Sequence, residues 1–395
     1  MEKKGLNRRK FIRISAAAGA GALLMPGAKA ETTSVPAKQQ ASPLPMRTLG
    51  RTGLQVPILS MGVMRADNPN VVRAAYNSGI THFDTAHGYQ NGRNEEMLGE
   101  FFKDKSRDTF TIATKCKIGY PYSATFEKEF SDMLDLSLKR LQMNYVDIFY
   151  AHDMQSPEQV KDPRLIATMK KFKADGKAKF LGFSMHNHKP EQIDAAIEAG
   201  IYDVILLSYN FKIENIQAIE AAMERGAKAG IGFVAMKAMT GGTTDAAGTN
   251  KVNGQACLRW AWRNENLITA IPGFTSFDLL DDCLAAANNP TLTDADRQYM
   301  AYASQEEGLF CQQCGQCTGQ CPQGLPIPDM MRAYMYAYGY KHAQLSKATL
   351  EELNLPQDMC GNCDSCQVKC KAGFNVAAKI AAIAPVRDMP MDFLS

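Results

Sequence analysis

Residues 81–89, which read Thr-His-Phe-Asp-Thr-Ala-His-Gly-Tyr, decide the fold and contain the first candidate functional residues. The β-branched and aromatic residues at the start of this stretch follow the turn signal Ser78-Gly79 and predict a short strand. Asn94, followed by two glutamates, predicts the start of a helix. Asp84 therefore ends a strand, and Tyr89 lies on the loop beyond it. In a barrel of alternating strands and helices, this end of each strand faces the active site, so both side chains are candidates for chemistry.

The chain from residue 56 onward alternates two kinds of segment, which is typical of a parallel α/β fold. Helical patterns separate the strand-like runs, and many of these helices end at Gly or Asn. The strand-like runs are 56–61, 81–85, 110–114, 145–151, 180–184, 203–208, 232–236 and 267–271. Eight strands, each followed by a helix, predict a closed (β/α)8 TIM barrel. The sequence lacks the phosphate-binding glycine fingerprint of an open doubly wound sheet.

Two further polar residues end the next two predicted strands, Lys115 after 110–114 and His152 after 145–151. An unperturbed phenol titrates near pH ~10, so a tyrosine that acts as a general acid needs an ammonium to lower its pKa. The ammonium in turn needs a carboxylate to hold it. Tyr89, Lys115 and Asp84 supply these three groups, and His152 supplies a donor for a carbonyl oxygen. A lone Asp84 could instead cap a turn and a lone Tyr89 could cover apolar surface, but cooperating groups on three successive strands favour catalysis.

The sequence resembles the aldo-keto reductase family over about residues 46–289. The motifs that carry the resemblance are Leu49-Gly50-Arg51-Thr52-Gly53-Leu54, the Phe83 to Tyr89 stretch, Gly182-Phe183-Ser184 and Ile271-Pro272-Gly273. The resemblance places the catalytic Asp, Tyr, Lys and His of the family on Asp84, Tyr89, Lys115 and His152. It implies carbonyl–alcohol interconversion with Tyr89 as general acid or base, and a hairpin at 47–55 that closes the bottom of the barrel.

The resemblance also implies a nicotinamide nucleotide, NAD(P)(H), bound at the barrel mouth. Ser184 and Asn210 match the family's positions for holding the nicotinamide amide, although both could be ordinary loop-capping residues. Lys237 follows the seventh strand, and Gly273 and Thr275 follow the eighth, where barrels commonly bind phosphate. The sequence departs from NADPH-using relatives in this last stretch, because Phe274, Phe277 and Asp278 stand where a Lys or Arg for the 2′-phosphate is usual.

The last part of the chain contains eight of the eleven cysteines in two runs of one spacing. The first run is Cys311, Cys314, Cys317 and Cys321, followed by Pro322, and the second is Cys360, Cys363, Cys366 and Cys370. This repeated spacing predicts two [4Fe–4S] clusters, with the fourth cysteine of each run binding the other cluster. Disulfide frameworks rarely repeat one short spacing twice, and zinc sites use pairs of Cys-x-x-Cys rather than runs of four. Lys371 replaces the proline expected after the second run.

The first 30 residues contain seven basic residues and one acidic residue, so most of the basic character of the chain lies there and nothing argues for nucleic-acid binding. Arg8-Arg9 followed by a short apolar run and Ala28-Lys29-Ala30 predicts a twin-arginine signal peptide cleaved before Glu31. An uncleaved membrane anchor is the weaker alternative, because the apolar run is short and rich in glycine. The twin-arginine translocase is therefore a predicted partner, and the periplasm the predicted location, with no stable membrane anchor after cleavage.

The predicted organisation is a signal peptide at 1–30, a linker at 31–45, the barrel at 46–300 and a small, mostly helical dicluster domain at 301–395. We expect an exported oxidoreductase that acts on a small carbonyl or alcohol substrate and passes electrons through its clusters. Because free nucleotides are scarce outside the cytoplasm, any NAD(P)(H) would be tightly bound. Its electron partner would be a redox protein or a quinone-linked donor. The alternative is an electron-transfer module whose barrel serves as a docking or ligand-binding scaffold.

Overall fold

The computed structural model describes residues 43–240, 252–305, 310–360, 363 and 366–394. The predicted signal peptide at 1–30 and most of the linker at 31–45 lie outside this part of the chain. Residues 42–395 form one compact unit. Within the described ranges, no helix is both long enough and apolar enough to span a bilayer.

Eight parallel strands form the central sheet, and they follow one another around it in chain order. They are β3 (Met61–Gly62), β4 (His82–Asp84), β5 (Thr111–Cys116), β6 (Val146–Met154), β7 (Ala178–Met185), β8 (Val204–Ser208), β9 (Gly232–Met236) and β10 (Leu267–Ala270). A parallel bridge between Leu59 and Ala270 joins the last strand to the segment before the first. The (β/α)8 barrel predicted from the sequence is confirmed.

A two-stranded antiparallel hairpin precedes the barrel, formed by β1 (Met46–Thr48) and β2 (Gln55–Pro57). The prediction of one strand at 56–61 is therefore wrong: its first half pairs in the hairpin, and the barrel strand begins only at Met61. Leu49 and Val56 pack into the barrel interior with Ile148, Val204 and neighbouring residues. A Cβ at Gly50 would lie 2.4 Å from the backbone nitrogen of Gly232, so only glycine allows this close approach, which closes the bottom of the barrel.

The helices between the strands pack their apolar faces on the outside of the sheet and bury the main hydrophobic core. They are α1 (Pro69–Asn77), α2 (Arg93–Phe102), α3 (Phe126–Leu141), α4 (Pro157–Val160), α5 (Pro163–Ala174), α6 (Lys189–Ala199), α7 (Ile216–Lys228), α8 (Gly254–Trp262) and α9 (Phe277–Asn288). The side chains of Asn68, Asp162, Asn253 and Ser276 accept hydrogen bonds from the first turns of their helices. These caps fix where the helices begin and thus where the preceding loops face.

The sixth strand of the chain, β6, runs further than the sequence predicts. The sequence predicts an end at Ala151 with His152 beyond it, whereas β6 continues to Met154. Its pairing with β7 shifts register between Ala151 and Met154, and Asp153 has a φ of 63°. This irregularity places His152 and Asp153 side by side at the barrel mouth, because an extra residue in a strand redirects the side chains that follow it.

The remainder of the chain is mostly helical and packs against the barrel. Its helices are α10 (Asp294–Gln305), α11 (Ile327–Tyr334), α12 (Ala343–Glu352) and α13 (Val376–Asp388), and a π-helical turn spans Met335–Gly339. The helices predicted at 329–340 and 343–353 correspond to α11 with its π turn and to α12. Five of the eight tail cysteines pack against a small core that includes Ile327, Met330 and Ile380. The boundary predicted at residue 300 stays a prediction, and α10 runs through it.

Candidate active site

Asp84, Lys115 and Tyr89 lie together at the carboxyl ends of the barrel strands. The ammonium of Lys115 donates to Asp84 Oδ1 at 2.5 Å and to the carbonyl oxygen of Thr85 at 2.5 Å. It also lies 3.5 Å from the hydroxyl of Tyr89. Asp84 and Lys115 are almost fully buried, whereas Tyr89 is half-buried at the edge of the pair. The phenol is thus the member of the group that a substrate can reach.

Burial dominates the protonation behaviour of these three residues. It raises the pKa of Tyr89 well above the ordinary value, and the nearby Asp84 raises it further. Burial lowers the pKa of Lys115 and raises that of Asp84, while the attraction between the two groups opposes both shifts. The sequence-based expectation that Lys115 brings the pKa of Tyr89 below its usual value is therefore wrong for this arrangement. The desolvation of the phenol outweighs the single ammonium, and Tyr89 is held as a neutral proton donor.

His152 faces Tyr89 across the mouth, with the two ring centroids 6.0 Å apart and the planes nearly perpendicular. Burial, and secondarily the charge of Lys115, lowers the pKa of His152 well below its usual value. The imidazole is therefore neutral at neutral pH and can donate one N–H to a carbonyl oxygen. Tyr89 and His152 converge on the same space from opposite sides, which is the geometry that two donors to one substrate oxygen require.

A cavity of about 490 Å³ opens above these residues, and both the barrel and the tail form its walls. The barrel contributes Asp84, Tyr89, Lys115 and His152, and the tail contributes Arg332, Tyr336, Tyr340 and Glu352. Arg65 of the barrel donates to the carbonyl oxygen of Tyr340 at 2.9 Å. The tail helices α11 and α12 with the π turn between them therefore form a roof over the candidate active site.

A buried ion-pair network fixes this roof to the barrel. The guanidinium of Arg332 on α11 donates to both carboxylate oxygens of Asp153, at 3.1 and 3.0 Å, and lies 2.8 Å from Asp329. Lys117 lies 3.2 Å from Asp153 and 3.3 Å from Glu352 on α12. Burial alone would raise the pKa of Asp153, but Arg332 and Lys117 hold it well below the usual value. Asp153 adjoins His152 in the chain, so this contact ties the roof to a candidate catalytic residue.

The residues predicted to bind the nicotinamide amide are already hydrogen-bonded within the chain. Ser184 Oγ accepts from the backbone N–H of Asp153 at 2.9 Å. Asn210 Nδ2 donates to the side-chain oxygen of Gln312 at 2.9 Å and to the carbonyl oxygen of Lys237 at 3.1 Å. Lys237 Nζ in turn donates to Gln313 Oε1 at 3.1 Å. Gln312 and Gln313 belong to the first cysteine run, so that run lies directly on the predicted nucleotide residues.

The residues predicted to bind phosphate are divided between the cavity and the surface. Lys237 and Gly273 line the cavity together with the four candidate catalytic residues, whereas Thr275 is exposed and is not part of the lining. Ser276 Oγ accepts from Leu279 N as the cap of α9. No Lys or Arg occurs between Arg263 and Arg297 in the sequence. This end of the mouth therefore lacks the cations that a pyrophosphate needs, and the residues present do not fit a nicotinamide nucleotide.

The cysteines of the tail form two interleaved sets in space. Burial raises the pKa of Cys311 to about 12, and the thiols close enough to raise it further are Cys317, Cys314 and Cys370. Burial also raises the pKa of Cys360, and the thiols that raise it further are Cys363, Cys366 and Cys321. Each set joins three cysteines of one run to the fourth of the other, which is the ligand arrangement of ferredoxin-type [4Fe–4S] clusters. Every cysteine in the described ranges is a free thiol, so the donor sets fit this cofactor.

No three His, Cys, Asp or Glu side chains in the described ranges converge closely enough to hold a single metal ion. Four thiolates that bind four separate irons of a cluster do not have to converge in this way.

Several residues of the site escaped the sequence-based prediction. Asp153 carried a weak signal, since it follows His152 as a second polar residue at a strand end. Arg332 and Lys117 carried none, because a cation on an amphipathic helix or in a loop is usually solvated. Gln312 and Gln313 lie between two predicted cluster ligands, where the spacing of the cysteines attracts attention and the intervening residues do not. Contacts between distant segments determine their roles, and spacing alone does not reveal such contacts.

The fold and the site define a (β/α)8 barrel of the oxidoreductase type that carries an iron–sulfur tail. The chain belongs to the aldo/keto reductase family: residues 58–255, half of the chain, match the family model. Residues 310–375 match the model of a 4Fe-4S dicluster domain. The two regions expected from the sequence are therefore present in one chain.

The relatives cover only the barrel. The chain is 35% identical to L-galactose dehydrogenase of Arabidopsis thaliana over 156 residues, which is 35% of this chain and 48% of the relative. It is 33% identical to L-glyceraldehyde 3-phosphate reductase of Escherichia coli over 173 residues, 38% of this chain and 48% of the relative. The chain thus spans about half the length of these curated relatives. An aldo-keto reductase structure from Bacillus halodurans matches with a TM-score of 0.54 at 18% identity, covering 66% of this chain and 96% of that one, which supports the fold.

Proposed function

We propose that the protein interconverts a carbonyl and an alcohol in the cavity between barrel and tail, with Tyr89 as general acid and base. One observation carries this proposal. The buried ammonium of Lys115 joins the carboxylate of Asp84 to the hydroxyl of Tyr89, and that hydroxyl faces a cavity. A buried cation paired with a carboxylate has little structural value, since such pairs rarely stabilise a fold, so its place beside a phenol favours a catalytic role.

The side chains divide the work on the substrate oxygen. In reduction, the Tyr89 hydroxyl gives its proton to the carbonyl oxygen, and the neutral imidazole of His152 donates a hydrogen bond to the same atom. Lys115 stabilises the phenolate that remains, and Asp84 holds Lys115 in place. The complete reduction takes two electrons and two protons, one proton to the oxygen through Tyr89 and one to the carbon from solvent. In oxidation the same groups act in reverse.

The two cysteine sets of the tail would hold the redox cofactors of this reaction. Cys311, Cys314, Cys317 and Cys370 would bind one [4Fe–4S] cluster, and Cys360, Cys363, Cys366 and Cys321 the other. When bound, the two clusters exchange one electron each, which matches the two electrons of a carbonyl–alcohol interconversion. A redox protein or a quinone-linked donor would complete the path.

The substrate class follows from the cavity and from the relatives. Because the walls combine Tyr336 and Tyr340 with Lys117 and Glu352, they offer apolar surface together with groups that can bind hydroxyls. The names of the two curated relatives refer to a sugar and to a sugar phosphate. We therefore propose a small hydroxylated carbonyl compound or its alcohol as the substrate.

The test replaces Tyr89 with Phe in the holoprotein and follows cluster reduction or oxidation with a panel of aldehydes, ketones and sugars. We expect turnover to fall roughly 10²–10⁴-fold, the range for loss of a general acid, with iron content and folding unchanged. Tyr120→Phe is the matched control, since Tyr120 is 43% exposed and lies outside the cavity lining. Activity that survives Tyr89→Phe unchanged would refute the mechanism and favour the electron-transfer module with the barrel as scaffold.

We also propose that the twin-arginine translocase exports the protein to the periplasm. The support is the Arg8-Arg9 pair before a short apolar run, together with the dicluster tail. Clusters assembled in the cytoplasm need a route that carries folded protein, and this route does so.

A further inference from the structure

The side-chain amide of Gln312 is held like a bound ligand at the barrel mouth. Its oxygen accepts from Asn210 Nδ2 at 2.9 Å, and its nitrogen donates to the carbonyl oxygens of Thr240 at 3.2 Å and Phe310 at 3.0 Å. Asn210 has no hydrogen-bonding capacity to spare, because Nδ2 also donates to Lys237 O and Oδ1 accepts from Lys212 N at 3.0 Å. Any other group that needs Asn210 must therefore displace Gln312.

The neighbouring residue strengthens this attachment. Gln313 is 4% exposed, and its amide accepts from Lys237 Nζ at 3.1 Å and donates to the carbonyl oxygen of Pro328 at 3.3 Å. Gln313 thus links β9 to the start of α11. Two successive glutamines of the first cysteine run are held by two successive barrel loops.

The chemistry of the displaced group identifies what Gln312 replaces. The nicotinamide ring carries a primary carboxamide, and the side chain of glutamine ends in the same group, with one acceptor oxygen and two N–H donors. Asn210 is a residue expected to hold that carboxamide. We propose that Gln312 occupies the carboxamide position, so that the holoprotein excludes free nicotinamide nucleotides and the cluster bound by Cys311 faces the cavity instead. This inference rests on the proposed function only in treating the clusters as the electron carriers.

The opposite end of the predicted nucleotide site supports the proposal independently. A dinucleotide carries two phosphates, and barrels bind phosphate with backbone N–H groups and cations after the last strands. Here the cap residue Ser276 already satisfies an N–H of α9, and Asp278, Asp281 and Asp282 add negative charge. The carboxamide end is thus filled and the phosphate end is repulsive.

The charges around the first cysteine run suit a cluster in this position. Lys189 is 4% exposed, and the thiols that act on its charge are Cys314 and Cys311. Lys237 also lies near Cys311 and, through Gln313, contacts the same loop. Lys371, which follows Cys370, pairs with Glu214 of the barrel at 2.8 Å. A cluster with four thiolate ligands is an anion, so buried cations beside the first run stabilise it at the barrel.

The test measures binding of NADH and NADPH to the holoprotein by equilibrium dialysis, together with the nucleotide released when purified protein is denatured. We expect no nucleotide in the purified wild type and weak binding at most. Gln312→Ala should bind roughly 10–100-fold more tightly, since nucleotide no longer has to displace the two hydrogen bonds between this amide and the barrel. Gln316→Ala is the matched control, because Gln316 is an exposed glutamine of the same loop and should behave like wild type.

Three outcomes would overturn the proposal. They are stoichiometric nucleotide released from the wild type, equal affinity of wild type and Gln312→Ala, and no gain of binding in Gln312→Ala that retains its iron. If Gln312→Ala loses iron, Gln312→Glu replaces it, since the carboxylate keeps the acceptor for Asn210 but cannot donate to Thr240 and Phe310. Tyr89→Phe should leave these binding results unchanged, so failure of the catalytic mechanism and failure of this inference are separate observations.

Discussion

At the scale of single residues, Tyr89 and Lys115 were predictable as a pair, but their proton affinities were not. The sequence predicts an ammonium near a phenol, and the structure brings them to 3.5 Å. Whether the phenol becomes more or less acidic depends on how much water surrounds it, which a sequence does not encode. Burial decides the direction here and raises the pKa of Tyr89.

The pH dependence of catalysis tests this balance. Because its pKa is raised, Tyr89 should remain protonated through neutral pH, so the rate of carbonyl reduction should be flat there. Alcohol oxidation requires the phenolate, so its rate should rise with pH. Lys115→Met removes the nearby charge that favours the phenolate and should move this rising limb to higher pH by about one unit or more, with roughly tenfold lower oxidation per unit at fixed pH. The measurement is the pH profile of turnover in both directions.

Lys117→Met is the control for that profile. Lys117 lines the same cavity but pairs with Asp153 and Glu352 rather than with Tyr89. Its loss should leave the position of the rising limb unchanged. Identical profiles for wild type and Lys115→Met would show that Lys115 has no influence on the phenol.

At the scale of elements, the strands were predictable from short apolar runs, and their limits followed from tertiary contacts. The run at 56–61 is continuous in the sequence, yet the hairpin takes Gln55–Pro57 and the barrel takes Met61–Gly62. The strand at 145–151 extends to Met154 because β7 continues to pair with it after a shift in register. Alternation of apolar residues indicates a strand, but it does not say which neighbour the strand pairs with.

The contact between α11 and the barrel should be important for stability. Arg332→Met leaves Asp153 buried without its main partner, and we expect a loss of about 3–5 kcal/mol, with Lys117 moderating the effect. Urea unfolding of the holoprotein measures this, since urea does not screen charges. Lys128→Met removes an exposed pair with Asp132 on α3 and should leave the midpoint nearly unchanged. Equal effects of the two changes would mean that the buried network does not hold the roof.

At the scale of the whole molecule, the tail is part of the active site rather than an appendage. The sequence predicted a barrel and two clusters as consecutive domains, and the cysteine spacing gave the ligand sets correctly in space. It could not predict that α11 and α12 close the cavity, because a helix's apolar face does not specify its partner. The four candidate catalytic residues were found from the sequence because they recur at strand ends.

The metal content tests the two cysteine sets. The holoprotein should contain about eight irons per chain if both runs are filled. Cys314→Ser and Cys363→Ser should each remove one cluster, because the two residues belong to different sets. Iron and sulfide analysis with absorbance spectra provides the measurement. Zinc in place of iron, or disulfides among the eight cysteines, would contradict the cluster assignment.

Export can be tested on the leader alone. Arg8→Lys combined with Arg9→Lys keeps the charge of the pair but removes the guanidinium groups that the twin-arginine route recognises. The precursor should remain in the cytoplasm, and the wild-type mature chain should begin near Glu31. Cell fractionation with N-terminal sequencing gives the answer. Correct processing of the double variant in the periplasm would instead point to the general secretory route.

The bidentate pair between Arg332 and Asp153 limits how this tail could be recombined with other barrels. A recipient barrel would need an acid directly after its active-site histidine, because without one the guanidinium of Arg332 would be buried with no partner from the barrel. It would also need an amide in the position of Asn210 to receive Gln312. A graft made by joining sequences at a loop would meet neither condition by chance. Transplanting the tail therefore means transplanting Asp153 and Asn210 with it.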